Sequence, residues 1–237
     1  MKSTEFIGIT KDSQNSIIGN LVFLLLKQNG FKVGLKNKRM IKIDEKSIKN
    51  GTREYVDVDK LVYKDMSLDY LILDDLKSKC IYEFTNKYTF DTVIDDGITH
   101  KEKENNQHDI EKKKTMIENL KRNGIVMINN DNDGIYNYFD SLRDKLVITY
   151  GLNARSTITA SSLHVNGSIS FNCSIQRGLT TSNGNEIEQM EFPIKIRQCD
   201  GFNISHFLSA IGVALIYEVP VVSIQTTMYE LNRGSFK

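Results

Sequence analysis

The chain of 237 residues has no tryptophan, only two prolines and three cysteines, and almost no net charge (+1). Three cysteines (Cys80, Cys173, Cys199) are an odd number without metal-type spacing, which excludes a disulfide framework and predicts reduced thiols. Balanced charge excludes a global field that draws nucleic acid or an anionic membrane. The N-terminus MKSTEFIGIT has no apolar signal block. The longest apolar run, LVFLLL at Leu21–Leu26, falls far short of the ~20 residues of a spanning helix. A soluble, cytoplasmic protein is the expectation, with no nucleic-acid or membrane partner. With 40% hydrophobic residues, the chain is long enough for one large α/β domain over 1–237, and no linker or repeat divides it.

The opening segment, EFIGIT-KDSQN-SIIGNLVFLLLKQNG, carries the most information. A short apolar strand (Phe6, Ile7, Ile9) runs into a polar loop. A helix then starts at Ser16, with Ile17, Leu21, Leu24 and Leu25 on one face. This is the layout of a phosphate-binding strand–loop–helix. Such a loop uses glycines so that backbone N–H groups wrap the phosphates, and a lysine to reach the outer ones. Here Lys11 and Gln14 stand where glycines belong, Asn15 stands where the lysine belongs, and Asp12 adds a negative charge. Thr10 precedes the loop, and Ser16 keeps the hydroxyl that would touch Mg²⁺. The layout is that of a nucleotide enzyme; the loop chemistry is not.

Strand and helix signals alternate onward. KVGL and the segment from Arg39 to Ile43 read as short strands. Ser67 reads as an N-cap, with a helix through Leu68, Leu71, Ile72 and Leu76. Cys80–Phe84 and Phe90–Ile94 read as strands, Asp95–Gln107 as a loop, His108–Arg122 as a helix, and IVMIN as a strand. Between Lys145 and Ile196 four strand-like segments alternate with turns, so an antiparallel β extension is expected there. A helix from Ile204 to about Tyr217 stops at Pro220. The prediction is a three-layer α/β fold: a mostly parallel sheet of P-loop type, flanked by helices, with that antiparallel extension.

Five strings in order carry a family resemblance: GIT before the first helix, CIYEF, GIVMINNDND (Gly124–Asp133), VITYGLN (Val147–Asn153) and GFNISHFLSAIGVALIYEVP (Gly201–Pro220). They resemble the central ATP-binding domain of the Mur ligases, most closely the UDP-N-acetylmuramoyl-tripeptide synthetases of peptidoglycan synthesis. The resemblance implies ATP and Mg²⁺ as cofactors. A substrate carboxylate would be activated by the γ-phosphate and then attacked by an amine, chemistry that rests on positioning and charge stabilisation.

Residue by residue, the resemblance places Thr10, Lys11, Asn15 and Ser16 at the phosphates, and Ser16 and Glu83 on Mg²⁺. For Glu83 the alternative is a carboxylate at a strand's exposed end. Asn129 and Asp131 would face the nucleotide; alone they read as a turn-forming cluster. Asn203 would contact a base or simply cap a helix, and His206 replaces a second family Asn. Lys113 falls where the family has a carbamylated lysine at a second metal, although Lys112 and Lys114 compete for the place and EKKK reads as a solvated helix face. Lys101 and Glu102 stand where the family has an Asp-His pair. His100, His108 and His164 show no ligand spacing.

Complete family members also carry an N-terminal UDP-sugar domain and a C-terminal amino-acid domain, which the resemblance does not reach. Two functions follow as expectations. One is a catalytically degenerate relative that binds or regulates a cell-wall ligase. The other is an active ligase subunit needing companion chains. A third, a site for another anion at Lys11 and the helix start, is the weakest.

Overall fold

The computed structural model describes residues 3–10, 17–37, 40–43, 46–49, 68–74, 78–97, 107–132, 140–197 and 202–231. Strand β1 (Glu5–Thr10) leads toward helix α1 (Ile17–Gln28). Then come β2 (Val33–Lys36), β3 (Met40–Ile43), β4 (Lys46–Lys49) and β5 (Tyr70–Asp74). Helix α2 (Ser78–Thr85), β6 (Phe90–Asp95), helix α3 (Gln107–Glu118) and β7 (Leu120–Asn129) follow. After β8 (Leu146–Tyr150), β9 (Ile158–Val165) and β10 (Ile169–Ile175) come the short β11 (Leu179–Thr180) and β12 (Glu186–Ile187), then β13 (Met190–Ile196). Helices α4 (Ile204–Ile216) and α5 (Val221–Glu230) close the fold.

Eleven strands form one sheet in the order β13-β10-β9-β8-β7-β6-β1-β5-β2-β3-β4. Pairing is parallel from β2 through β9 and antiparallel at both margins, where β9, β10 and β13 form the expected extension. Helices α1, α4 and α5 cover one face and α2 and α3 the other, giving two separate cores. Parallel strands buried on both faces explain the near-continuous apolar runs of β1, β5 and β7. Helix α4 is buried on all sides: Phe207, Leu208, Ile211 and Leu215 fill it, while Gly212 leaves room for Met127 and Ile158.

Three expectations are corrected. The helix expected from Ser67 through Leu76 is strand β5, because a five-residue apolar run suits a doubly buried strand as well as a helix face. CIYEF is helix α2, not a strand: Cys80, Ile81 and Phe84 recur at helical spacing and pack on the second core, leaving Tyr82 exposed and Glu83 half-buried with its Oε2 enclosed. The helix expected to reach Arg122 ends at Glu118, and β7 begins at Leu120. Helix α4 already ends at Ile216 with Tyr217 as its C-cap, and Pro220 beyond it is the N-cap of α5, with Ile224 and Met228 buried one turn apart. Of the segments named from sequence, Arg39, Ser67, Leu76, the loop residues 11–16 and most of 95–107 lie outside the described residues.

Candidate functional site

From β2 to β8 in the parallel part of the sheet, each strand ends on a buried polar residue at the same edge. In sheet order these are Lys36 (β2), Asp74 (β5), Thr10 (β1), Asp95 (β6), Asn129 (β7) and Tyr150 (β8). This is the carboxyl edge of the strands, where open α/β sheets bind ligands. Six buried polar groups in a row cost desolvation energy unless each finds partners. Thr10 and Tyr150 find theirs at Asp95, and Asn129 at Asp96 and Asp131.

Thr10 Oγ1 donates to Asp95 Oδ1 at 2.9 Å. The Gly97 N–H donates to the same oxygen at 3.1 Å, and Lys113 Nζ lies 3.0 Å from it. Lys113 Nζ also donates to the Gly97 carbonyl at 2.8 Å. Lys113 is 2% exposed, so the solvated helix face expected for the EKKK run is wrong at this position. The reason is register: Lys113, Met116 and Ile117 form the inward stripe of α3, while Glu111 and Lys114 point outward.

Beside this cluster, Tyr150 Oη donates to the Asp95 carbonyl at 3.1 Å and to Asp96 Oδ1 at 3.4 Å. Complete burial, then the charges of Asp96 and Asp95, hold the Tyr150 phenol well above its ordinary value, so it stays a donor. His206 Nε2 lies 3.8 Å from Asp96 Oδ2, which brings the start of α4 to the same edge.

Asn129 and Asp131 belong to this edge, in the turn-forming roles of the plain sequence reading. Asn129 Nδ2 donates to the Asp96 carbonyl at 3.4 Å, and its Oδ1 accepts the Asp131 N–H at 3.0 Å. Asp131 accepts the N–H groups of Leu152 and Asn153, each at 2.8 Å. Asn203 caps α4, accepting from the Ser205 N–H while His206 Nδ1 accepts from the Asn203 N–H in a capping box. Of the sequence-selected residues, the structure thus gathers Thr10, Lys113 and Asn129, with Asp131 and Asn203 fixing adjoining loops. Lys11, Asn15 and Ser16 lie outside the described residues.

Glu83 is not among them. It sits on α2 rather than at a strand end, so the Mg²⁺ role inferred from CIYEF loses its geometry. Strand-ending carboxylates flank β1 on both sides, Asp95 on β6 and Asp74 on β5, and Asp74 is fully buried against α1 so closely that a Cβ at Gly19 would collide with its Oδ2. Among the described residues, no group of three or more His, Cys, Asp or Glu is placed to hold a metal ion. Asp95 and Asp131 already accept several donors each. The described edge therefore does not fit a two-metal centre.

Lys36, Asp74, Asp95 and Tyr150 were missed from sequence. Each ends an apolar strand signal (VGLK, YLILD, TVID, VITY), and that recurring apolar-run-then-polar pattern is the signal that reveals them. The Lys36 side chain makes no hydrogen bond or ion pair among the described residues. Burial holds its ammonium below the usual 10.5, with Cys80 acting in the opposite direction. The folded state thus binds fewer protons than the unfolded one below that value, so this group's contribution to stability rises with pH toward 10.5. Lys36→Met is expected to raise Tm near neutral pH by about 2–4 °C. The advantage should shrink as the pH approaches the unperturbed lysine value. Thermal melts across that range check both.

No protein-family model matches the sequence, and no curated protein sequence does. Solved structures do match in fold. The UDP-N-acetylmuramoylalanyl-D-glutamyl-2,6-diaminopimelate–D-alanyl-D-alanyl ligase from Acinetobacter baumannii superposes with a TM-score of 0.72 at 10% identity, over 97% of this chain and 46% of that one. A UDP-N-acetylmuramoyl-L-alanyl-D-glutamate–2,6-diaminopimelate ligase gives 0.76 at 14% identity, over 98% of this chain and 47% of its own. The apo form of L. casei FPGS gives 0.68 at 14%, over 97% of this chain and 63% of its own. This chain spans about half the length of the Mur ligases it matches, and it has the Mur-ligase-like α/β fold that FPGS shares.

Proposed function

We propose that this chain is a relative of the ATP-dependent acid–amino-acid ligases of peptidoglycan synthesis that has lost ordinary ligase turnover of its own. In this reading it serves in the cytoplasm as a binding or regulatory partner of a cell-wall ligase or a companion chain. The observation that carries the reading is the segment between β1 and α1. In a fold shared with Mur ligases, it offers Lys11, Gln14 and Asn15 where phosphates need glycine backbone and a lysine. Side chains at the glycine positions resist both the left-handed backbone and close approach. The fold-related MurF from Thermotoga maritima was solved in complex with ADP, so MgATP is the ligand against which the loss is measured.

The site's electrostatics agree. Lys113 is engaged by Asp95, so a triphosphate at the end of β1 would meet the carboxylates of Asp74 and Asp95 on its two sides. Removing a single preorganised donor costs an enzyme ~10²–10³ in rate, and several are missing here together.

The test is gain of function. A Lys11→Gly, Gln14→Gly, Asn15→Lys variant is expected to bind a fluorescent ATP analogue with Mg²⁺ where the native chain does not. ATP hydrolysis by the native chain at the ~1–10³ s⁻¹ of ordinary enzymes contradicts the reading. A second reading, an active ligase subunit completed by companion chains, draws on the partial span of the Mur ligases. It requires tight MgATP binding by the native loop.

A further inference from the structure

The β1–β6 edge already holds a cation of its own. Lys113 Nζ sits between Asp95 Oδ1 (3.0 Å) and the Gly97 carbonyl (2.8 Å), with both side chains at most 2% exposed. The same Asp95 oxygen accepts Thr10 Oγ1 from β1 and the Gly97 N–H from the following turn. One carboxylate oxygen thereby ties strand β1, the end of β6 and helix α3 to a single point.

We propose that Lys113 is an unmodified ammonium that permanently takes the place of a divalent cation here, so this edge accepts neither a lysine carbamate nor a second metal ion. Three physical arguments support it. Carbamylation needs a free lone pair on the amine and releases a proton as CO₂ adds to nitrogen, but Nζ, ion-paired with Asp95 and donating to the Gly97 carbonyl, presents none to a ligand. The product would carry a negative charge where a positive one now stands, facing Asp95 in a buried site where repulsion is weakly screened. At Asp95 Oδ1 a divalent ion would have to displace three donors, the Lys113 ammonium, the Thr10 hydroxyl and the Gly97 N–H. Removing either partner alone would leave a buried charge uncompensated, whereas removing both is tolerated. The proposal goes beyond loss of turnover and rests on the described geometry, so it holds whether or not residues 11–16 take a nucleotide.

The experiment uses the full chain in ¹³C-bicarbonate and, separately, with Mn²⁺ as a relaxation probe. The expected results are no carbamate carbon resonance assignable to Lys113, and Mn²⁺ relaxation that is the same for the native chain and Asp95→Asn. Thermal melts should show Lys113→Met losing roughly 10 °C in Tm, with the Lys113→Met/Asp95→Asn double variant regaining most of it. A ¹³C carbamate resonance that vanishes in Lys113→Arg overturns the proposal. So does an Mn²⁺ effect abolished by Asp95→Asn. If Lys113→Met does not fold, the two spectroscopic measurements on the native chain still decide. Failure of the loop-restored variant to bind nucleotide bears on the proposed function and leaves this assignment unaffected.

Discussion

Replacing Gly8 with valine is expected to lower Tm by about 6–12 °C, the shift that about 3 kcal/mol of overpacking produces in a chain of this size. Gly8 lies mid-strand in β1, paired with Leu73 of β5 and Val93 of β6. A Cβ there would stand 2.6 Å from Met116 Cε and 2.8 Å from Phe90 Cε1. The methionine end can swing aside; the phenylalanine cannot, because its ring packs at 4.6 Å against Phe84. Relief therefore comes from displacing Phe90 and, behind it, Phe84 of α2. Gly8→Ala should follow the same course with a smaller loss. Thermal denaturation of the two variants measures it, and a valine variant as stable as the native chain would show that Phe90 and Phe84 are not packed rigidly over β1.

The second large effect is expected at the turn after β8. Gly151 has φ +142°, and a Cβ there would stand 2.7 Å from the Asp131 carboxylate. Gly151→Ala combines backbone strain of about 1–3 kcal/mol with that collision. Asp131→Ala removes two 2.8 Å charge-assisted bonds to the Leu152 and Asn153 N–H groups, a loss of about 2 kcal/mol because water reaches the freed donors. The two changes share one space. Deleting the carboxylate makes room for the new methyl, so the double variant should lose clearly less than the sum of the singles. Strict additivity in chemical denaturation would mean that Asp131 does not shape this turn.

Much of the fold was legible because apolar strands and amphipathic helices alternate with clear breaks, and β1, α1, β6, α3, β7 and α4 fall close to where pattern placed them. The failures have specific causes. Tyr70–Leu73 is apolar at every position, so its period cannot be read, and it was assigned to a helix. Cys80–Phe84 reads as a strand because it is short and compactly apolar, although Ile81 and Phe84 show helical spacing. That error carried Glu83 with it. Helix α5 was missed because Pro220 was read as an end when it is a beginning. At the site, Lys113 was hidden by its neighbours: the run EKKK suggests solvent, whereas its spacing to Met116 and Ile117 places it inward. Asn129, Asp131 and Asn203 were found, but their backbone-fixing roles depend on partners distant in sequence, such as Leu152 with Asp131. No local pattern contains those partners.

The central claim, that this ligase-like fold no longer cradles a triphosphate, is tested most directly by titrating the native chain with MgATP in a calorimeter. The account predicts no saturable heat for the native chain, and a saturable signal once glycines and a lysine are restored at positions 11, 14 and 15. Saturable micromolar binding by the native sequence would contradict it.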